Sequence, residues 1–410
     1  MLKIRLVILV WGLIFSFLVS AQTKLQQGSW KLELLRADGN AIPFRLDIRL
    51  EKKKEVGYIV NGSEEIRIDK MSYTADSVKF EMPFFESSFS ARRVSATNWE
   101  GVWKKSSSTN WFTMPFKAVY DSERSGDMLM NPKNTITGKW SLTFERKDKS
   151  TRPAIGQWVQ KGNKLSGTII TPTGDYRYLN GTVKGDSMEL STFDGSHAFR
   201  LTAKIDNDNR LSKGFFYNGA TTLEPWVAIR NDTATLPNLA AMYLKDGEER
   251  LNFRFKDLND QPVSITDAKF KNKVVIIQIM GSWCPNCMDE TAFLSEYYQK
   301  NKHRGIEVIA LAYEYTTDRE RSKKSIEMIK KRFDVQYTIL NTGVTVSDSL
   351  RTEKTLPQLT PIKSFPSTIF INREGRVASI HGGFEGPGTG SRYTVLKKDF
   401  EETINRLLKQ

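Results

Sequence analysis

Apolar and polar residues alternate in short runs through the first half of the chain. Such runs recur at Trp30–Leu34, Phe44–Leu50, Val56–Val60, Ile66–Ile68 and Val78–Met82, and turn signals such as Asp38-Gly39-Asn40 and Asn61-Gly62 separate them. No apolar period of a helix appears, so residues 24–232 are expected to be all-β. The pattern also repeats. Gly28-Ser29-Trp30 opens one unit and Gly138-Lys139-Trp140 opens another 110 residues later. Ser77-Val78-Lys79-Phe80-Glu81 returns at the same offset as Ser187-Met188-Glu189-Leu190-Ser191. Two β units, 24–134 and 135–232, each a small barrel or sandwich, follow from that spacing.

The texture changes at Leu236. A connector runs through Leu236-Pro237-Asn238 and the polar stretch Lys245 to Arg250. Strand-like Phe253–Phe255 and Val263–Ile265 come next, then the strongly apolar Val274–Met280. A helix is expected directly after it, with Cys287, Thr291, Leu294 and Tyr298 on one face. Ile306–Tyr313 reads as a strand and Ser322–Phe333 as a helix with Ile326, Ile329 and Phe333 inward. Val335–Leu340 is a strand again, and an irregular stretch runs to Leu359. Ser367–Asn372 and Arg376–His381 form a hairpin about Arg373-Glu374-Gly375, and Val395–Leu408 is the last helix. Residues 236–410 are thus expected to form an α/β unit, a mixed sheet with helices on both faces.

The first residues carry a different signal. Lys3 and Arg5 precede an apolar run from Leu6 to Val19, and Val19-Ser20-Ala21 closes it with small side chains. That layout is a secretory signal peptide, residues 1–21, cleaved after Ala21 and directing the chain to the periplasm or cell envelope. The alternative is an N-terminal membrane anchor, for which the apolar run is shorter than the ~20 residues a bilayer needs. The +14 formal charge of the 410 residues changes little in this picture. It is spread as +7 over residues 22–235 and +5 over 236–410, without the clustering on one face that nucleic-acid binding needs, so no nucleic-acid partner is expected.

Cysteine usage is more informative. An exported chain of this length with only 2 cysteines does not rest on disulfides for stability. Both lie in Trp283-Cys284-Pro285-Asn286-Cys287, between a buried strand and a helix start. The helix N-terminus presents unpaired N–H groups and a partial positive charge, which favour a thiolate on the first cysteine. Cys284 is therefore the accessible attacking thiol. Cys287, one turn in and more buried, is the resolving one, and the two form the redox-active disulfide. Zinc would need four ligands, yet no other cysteine exists and His197, His303 and His381 show no ligand spacing. No metal and no cofactor are expected. A structural disulfide across so small a loop would restrain the unfolded chain little.

With these residues in place, 236–410 resembles the exported thioredoxin-like thiol:disulfide oxidoreductases of bacteria, the TlpA-like reductases that include cytochrome-maturation proteins. Further shared features are Phe365-Pro366-Ser367-Thr368 before the hairpin and Gly382-Gly383 after it. The resemblance implies a thioredoxin fold and a catalytic set of Cys284, Cys287, Glu290 and Pro366. It makes Pro366 the cis-proline facing the disulfide, with Trp283 and Phe365 as substrate-contacting walls. Ordinary thioredoxins place a buried Asp six residues before the first cysteine. Here that position is Gln278, which cannot ionise, and Glu290 stands three residues after Cys287 as the candidate base. Protein thiols or disulfides as substrates and a membrane electron donor are also implied. The Gly-x-Trp openings of the β units resemble lipocalin-like barrels, and equally a Trp at a strand start in any β domain.

Two functions follow. One is an exported dithiol oxidoreductase that reduces protein disulfides. The other is an envelope binding protein whose β region holds a ligand or partner while the thioredoxin unit senses redox state.

Overall fold

The computed structural model describes residues 24–107, 110–121 and 132–410. The signal-peptide and anchor readings of the first residues lie outside them, as does part of the join between the β units.

Residues 28–120 form one nine-stranded antiparallel sheet whose first strand, Gly28–Leu35, also pairs with its last, Trp111–Tyr120. Residues 138–230 form a second nine-stranded sheet, in which Gly138–Glu145 likewise pairs with Thr222–Arg230. This second sheet also joins Thr151–Lys161 to Lys164–Thr171, so it closes on itself as a barrel. The 110-residue repeat is carried down to single contacts. Leu35 faces Ala41 across the first hairpin, and Glu145 faces Thr151 across its counterpart. Trp30 Nε1 donates to the Gln26 carbonyl at 3.0 Å, and Trp140 Nε1 to the Ile136 carbonyl at 2.9 Å. Each indole is fully buried, so each needs that partner for its N–H. The barrel interiors are filled by large side chains, among them Trp30, Trp99 and Trp103 in the first and Trp140 and Trp158 in the second.

The C-terminal unit is a seven-stranded mixed sheet. Its elements are β1 (Arg254–Asp257), β2 (Pro262–Ser264), β3 (Val274–Met280), α1 (Pro285–Asn301), β4 (Ile306–Ala312), α2 (Arg319–Arg332), β5 (Thr338–Asn341), α3 (Arg351–Thr355), β6 (Ser367–Ile371), β7 (Val377–Gly382) and α4 (Ser391–Leu408). The order is β2-β1-β5-β4-β3-β6-β7, with β3 and β4 parallel and β6 antiparallel to β3. Every residue of β3 is buried, which is why its sequence reads as an unbroken apolar run.

The helices are not shared evenly between the faces. Leu294 of α1, Ile326 and Ile329 of α2 and Ile404 and Leu407 of α4 all join the core on the side of Val274, Ile276 and Val308. The opposite side, with Val275, Ile277 and Ile309, is covered by Met242, Leu251, Phe253 and Phe270 from the segments before β3 and by Leu356 and Leu359 just after short α3. Apolar periodicity marks which face of a helix is buried but not which face of the sheet it meets, so the one-sided gathering of the long helices was not recoverable from it.

The first barrel is not an isolated body. Met82, Phe84 and Phe85, at the turn between two of its strands, belong to the same apolar cluster as Cys284, Cys287, Leu294 and Ile329. The Phe84 ring lies 6.5 Å from that of Phe333.

Removing the plug of the second barrel tests the packing argument. Trp140→Ala is expected to cost about 3–5 kcal/mol, the usual range for deleting a fully buried large aromatic side chain. Urea unfolding followed by tryptophan fluorescence measures it, and a loss under about 1 kcal/mol would contradict the plug role.

Candidate active site

Strand β3 ends at Met280, and α1 begins at Pro285 with Cys284 as its N-cap. Proline suits this first helical position because it lacks an N–H that would go unsatisfied there. The Cys284 sulfur takes the capping role of an oxygen, accepting the Cys287 backbone N–H at 3.3 Å. It also lies 3.5 Å from the Phe365 carbonyl, and the Phe365–Pro366 peptide bond is cis. Both cysteines are free thiols.

Trp283 forms a wall of the site. Its indole N–H donates to the Tyr313 carbonyl at 2.8 Å, and its ring stacks on Tyr315 and tilts against Phe365 at centroid distances of 5.2 and 5.4 Å. Gln278 sits in the middle of β3, fully buried. Its Nε2 donates to Thr291 Oγ1 at 3.1 Å and reaches the Cys287 carbonyl at 3.5 Å. As an amide it braces α1 against the sheet without carrying a charge.

Glu290 is not a solvated helix-face residue. It is 2% exposed, accepts the Thr368 hydroxyl through Oε1, and lines a cavity of about 510 Å³ whose walls include Phe293, Phe370 and Phe400. Burial pushes its carboxyl up to about 7, against the hydrogen bonds of Thr368 and Gln278, which favour the charged form. Cys287, 0% exposed, is also shifted. Burial raises its thiol well above the ordinary value, the neighbouring Cys284 adds to the rise, and the Glu290 charge contributes further. A thiol that holds its proton tightly thus lies one helical turn from a carboxyl that can take one near neutral pH.

The sequence reading placed Cys284 as an accessible thiol, whereas it is only 4% exposed. The second barrel covers the motif. Gly174, with φ near +143°, lies so close that a Cβ there would sit 2.4 Å from Asn286 Nδ2, and Ser196 Oγ reaches the Trp283 carbonyl at 3.4 Å. Two other groups near the motif escaped the sequence reading. Thr368 stood in the quoted Phe365–Thr368 run without a role. Glu314 follows an apolar strand and is buried, accepting the Ser282 backbone N–H at 2.9 Å and the Ser282 hydroxyl. Burial pushes its carboxyl up to about 7, against those two hydrogen bonds. A lone carboxylate just past an apolar run was the available signal.

Fold and paired thiols together define a thioredoxin-like thiol oxidoreductase unit behind an N-terminal β region. Residues 245–395 of it match the Redoxin family model. Among curated proteins, the thiol-disulfide oxidoreductase ResA of Bacillus thuringiensis subsp. konkukian (strain 97-27) is 26% identical over 132 residues, covering 32% of this chain and 66% of that protein. ResA of Bacillus subtilis (strain 168) is 24% identical over 140 residues, 34% of this chain and 69% of that protein. The chain thus spans about two-thirds of the length of these relatives. Similar solved structures include two from other bacteria. The thiol:disulfide interchange protein, thioredoxin family protein, from Chlorobium tepidum TLS shares 17% identity, with a TM-score of 0.29, over 40% of this chain and 99% of that one. The thiol-disulfide oxidoreductase from Bacteroides fragilis NCTC 9343 shares 14%, with a TM-score of 0.28, over 36% and 99%.

The Glu290 environment predicts a stability effect with a definite sign. A carboxyl whose folded-state value is raised binds its proton more tightly in the folded chain. Its contribution is therefore harmless below the unfolded value and becomes a loss as pH rises through 4.5 toward about 7. Glu290→Gln should be neutral at pH 4 and stabilise at pH 8 by roughly 2–3 kcal/mol. Denaturant titrations at the two pH values check this; equal effects at both would contradict the buried-acid assignment.

Proposed function

We propose that the protein is an exported thiol:disulfide oxidoreductase that reduces protein disulfides through Cys284 and Cys287. The observation that carries this reading is the capping sulfur: Cys284 holds the N-terminus of α1, accepts a backbone N–H, and faces the Phe365 carbonyl beside cis Pro366. A sulfur in that position is held by a backbone hydrogen bond at the positive end of the helix dipole.

The reaction then runs in two exchanges. The Cys284 thiolate attacks one sulfur of a substrate disulfide, that S–S bond breaks, and the other substrate sulfur leaves as a thiolate and takes a proton from water. Cys287 gives its proton to Glu290 and attacks the Cys284 sulfur of the mixed disulfide. The second substrate thiol is released, the substrate has gained two electrons, and the protein carries a Cys284–Cys287 disulfide. A reducing partner must restore the dithiol, and a membrane electron donor fits an envelope location. Trp283 and Phe365 form the walls against which the substrate chain rests. Pro366 shapes the backbone opposite the sulfur, and Gln278 braces the helix.

Export is supported by the charged-apolar-small layout of residues 1–21 and by the sparing use of cysteine. No helix among the described residues is long and apolar enough to cross a membrane. The binding-module reading is less favoured, because the barrel interiors are filled by tryptophans and other large side chains.

Reduction of insulin by dithiothreitol, catalysed by the full chain, tests the proposal. Cys284→Ser should abolish catalysis, and Cys287→Ser should accumulate a mixed disulfide with the substrate; a wild-type chain with no dithiol turnover sinks the reading. The base assignment has its own readout. In the wild type the resolving step should quicken as pH rises through about 7, where Glu290 becomes able to accept a proton. Glu290→Gln should be slower by about 10²-fold and lose that inflection. An unmoved pH profile would remove Glu290 from the proton path.

A further inference from the structure

A charged side chain of the second barrel also reaches the dithiol motif. Arg177 lies in the turn between Asp175 and Leu179, with φ near +57°, and is buried. Its Nη1 donates to the Pro285 carbonyl at 3.0 Å and lies 2.7 Å from Asp289 Oδ1. Pro285 stands between the two cysteines, and Asp289 stands two residues beyond Cys287 and next to Glu290. Nη2 pairs with Glu64 of the first barrel. A single guanidinium therefore ties both barrels to the first turns of the redox helix.

The surroundings hold that guanidinium in place. Its own backbone N–H donates to Asp175 Oδ1 at 2.7 Å, and Asp175 Oδ2 accepts the Gly386 N–H at 2.6 Å from the glycine-rich loop after β7. That loop packs so tightly that a Cβ at Gly388 would sit 2.7 Å from the Arg177 carbonyl oxygen. Asp194, itself 3.1 Å from His197 Nδ1, lies 4.0 Å from Arg177 Nε.

An arginine stays charged when buried, and a buried charge is tolerated only where it is paired. Its partners here compensate unevenly. Burial pushes the Asp289 carboxyl up to about 7 even though Arg177 pulls it down, so near neutral pH this partner is only partly ionised. Asp194 is held at about 2, against the effect of burial, chiefly by His197, and its charge is shared with that ring. Of the carboxyls around the guanidinium, the one carried by α1 is therefore the least ionised near neutral pH, while Glu64, paired with Nη2, and Asp175, pushed up by burial to about 6, lie on the barrel side. Positive charge beside the N-terminus of a helix whose cap is a sulfur favours the thiolate, and the bond to Pro285 fixes the turn that positions both sulfurs.

We propose that Arg177 is a positioning residue of the redox site, supplied by the second barrel, which holds the first turn of α1 and biases the dithiol toward its thiolate, reduced form. The proposal rests on the dithiol reading above and extends it, since it makes the β region part of the redox chemistry.

The full-length chain can be read in two ways: thiolate absorbance at 240 nm against pH, and the dithiol–disulfide equilibrium in glutathione buffers. Arg177→Met should raise the pH midpoint of thiolate formation by about one unit and shift the equilibrium about tenfold toward the disulfide. Arg177→Lys offers an ammonium without the planar fork that bridges Pro285, Asp289 and Glu64, so it should fall between the wild type and Arg177→Met. Asp289→Asn removes the partly compensating carboxyl and should move both readouts the opposite way, a reversal that loosened packing cannot produce. If Arg177→Met does not fold, the Lys and Asn variants still carry the test, because they predict a partial shift and a reversed one. Unmoved readouts in the Met and Asn variants, or an Asn variant that does not reverse the shift seen in the Met or Lys variant, would make Arg177 a tie between units only and overturn the proposal. A wild-type chain without any reversible dithiol titration would instead sink the proposed function.

Discussion

Helix α1 begins with backbone N–H groups that have no partner inside the helix, and one of them is satisfied by a sulfur. The site depends on this. The seven buried residues of β3 deliver the chain to the edge of the core at Met280, and Pro285 forces the helix to start within a few residues. Cys284 is left at the cap, where its sulfur accepts a hydrogen bond and feels the helix dipole. Cys287 is carried one turn inward, where burial keeps its proton on. The difference between the two thiols is thus a consequence of where one strand stops and one helix starts.

Around that junction the fold buries acids rather than exposing them. Glu290 and Glu314 are both pushed toward neutrality by loss of water, and each is held by a hydroxyl, from Thr368 and Ser282 respectively. A carboxyl on the surface would be fully ionised at neutral pH and a poor match for a thiol that holds its proton tightly. Burial brings the two closer, at a cost in stability offset by the surrounding apolar core.

The β region alters the site by closeness as much as by charge. Gly174 and Gly388 allow backbone to pack where a Cβ would collide with Asn286 or with Arg177. The resulting cover leaves Cys284 only 4% exposed, so a substrate must meet a site walled by more than one unit. The shared apolar cluster of Phe84, Phe85, Cys284 and Leu294 means that the first barrel and the redox unit lose buried area together if they separate.

Local pattern was enough for much of this. The alternation and the 110-residue repeat marked two similar β units, and Trp30 and Trp140 sit in matching contacts because the same short sequence meets the same hairpin register. The apolar run of β3, the Cys-x-x-Cys after it and the Phe365-Pro366 before a hairpin located the thiols and their wall, since each is a contiguous stretch whose chemistry depends on near neighbours. Glu290 was legible for the same reason, one turn past Cys287. What only the tertiary structure decided are the relations between distant segments. Gathering all three long helices on one face, pairing Glu290 with Thr368 and Ser282 with Glu314, burying Cys284, and setting Arg177 against Pro285 and Asp289 each join residues far apart in the chain, such as the 78 positions between Glu290 and Thr368. Periodicity records which side of an element avoids water. It does not record what fills that side, because any apolar or complementary surface would satisfy the same pattern.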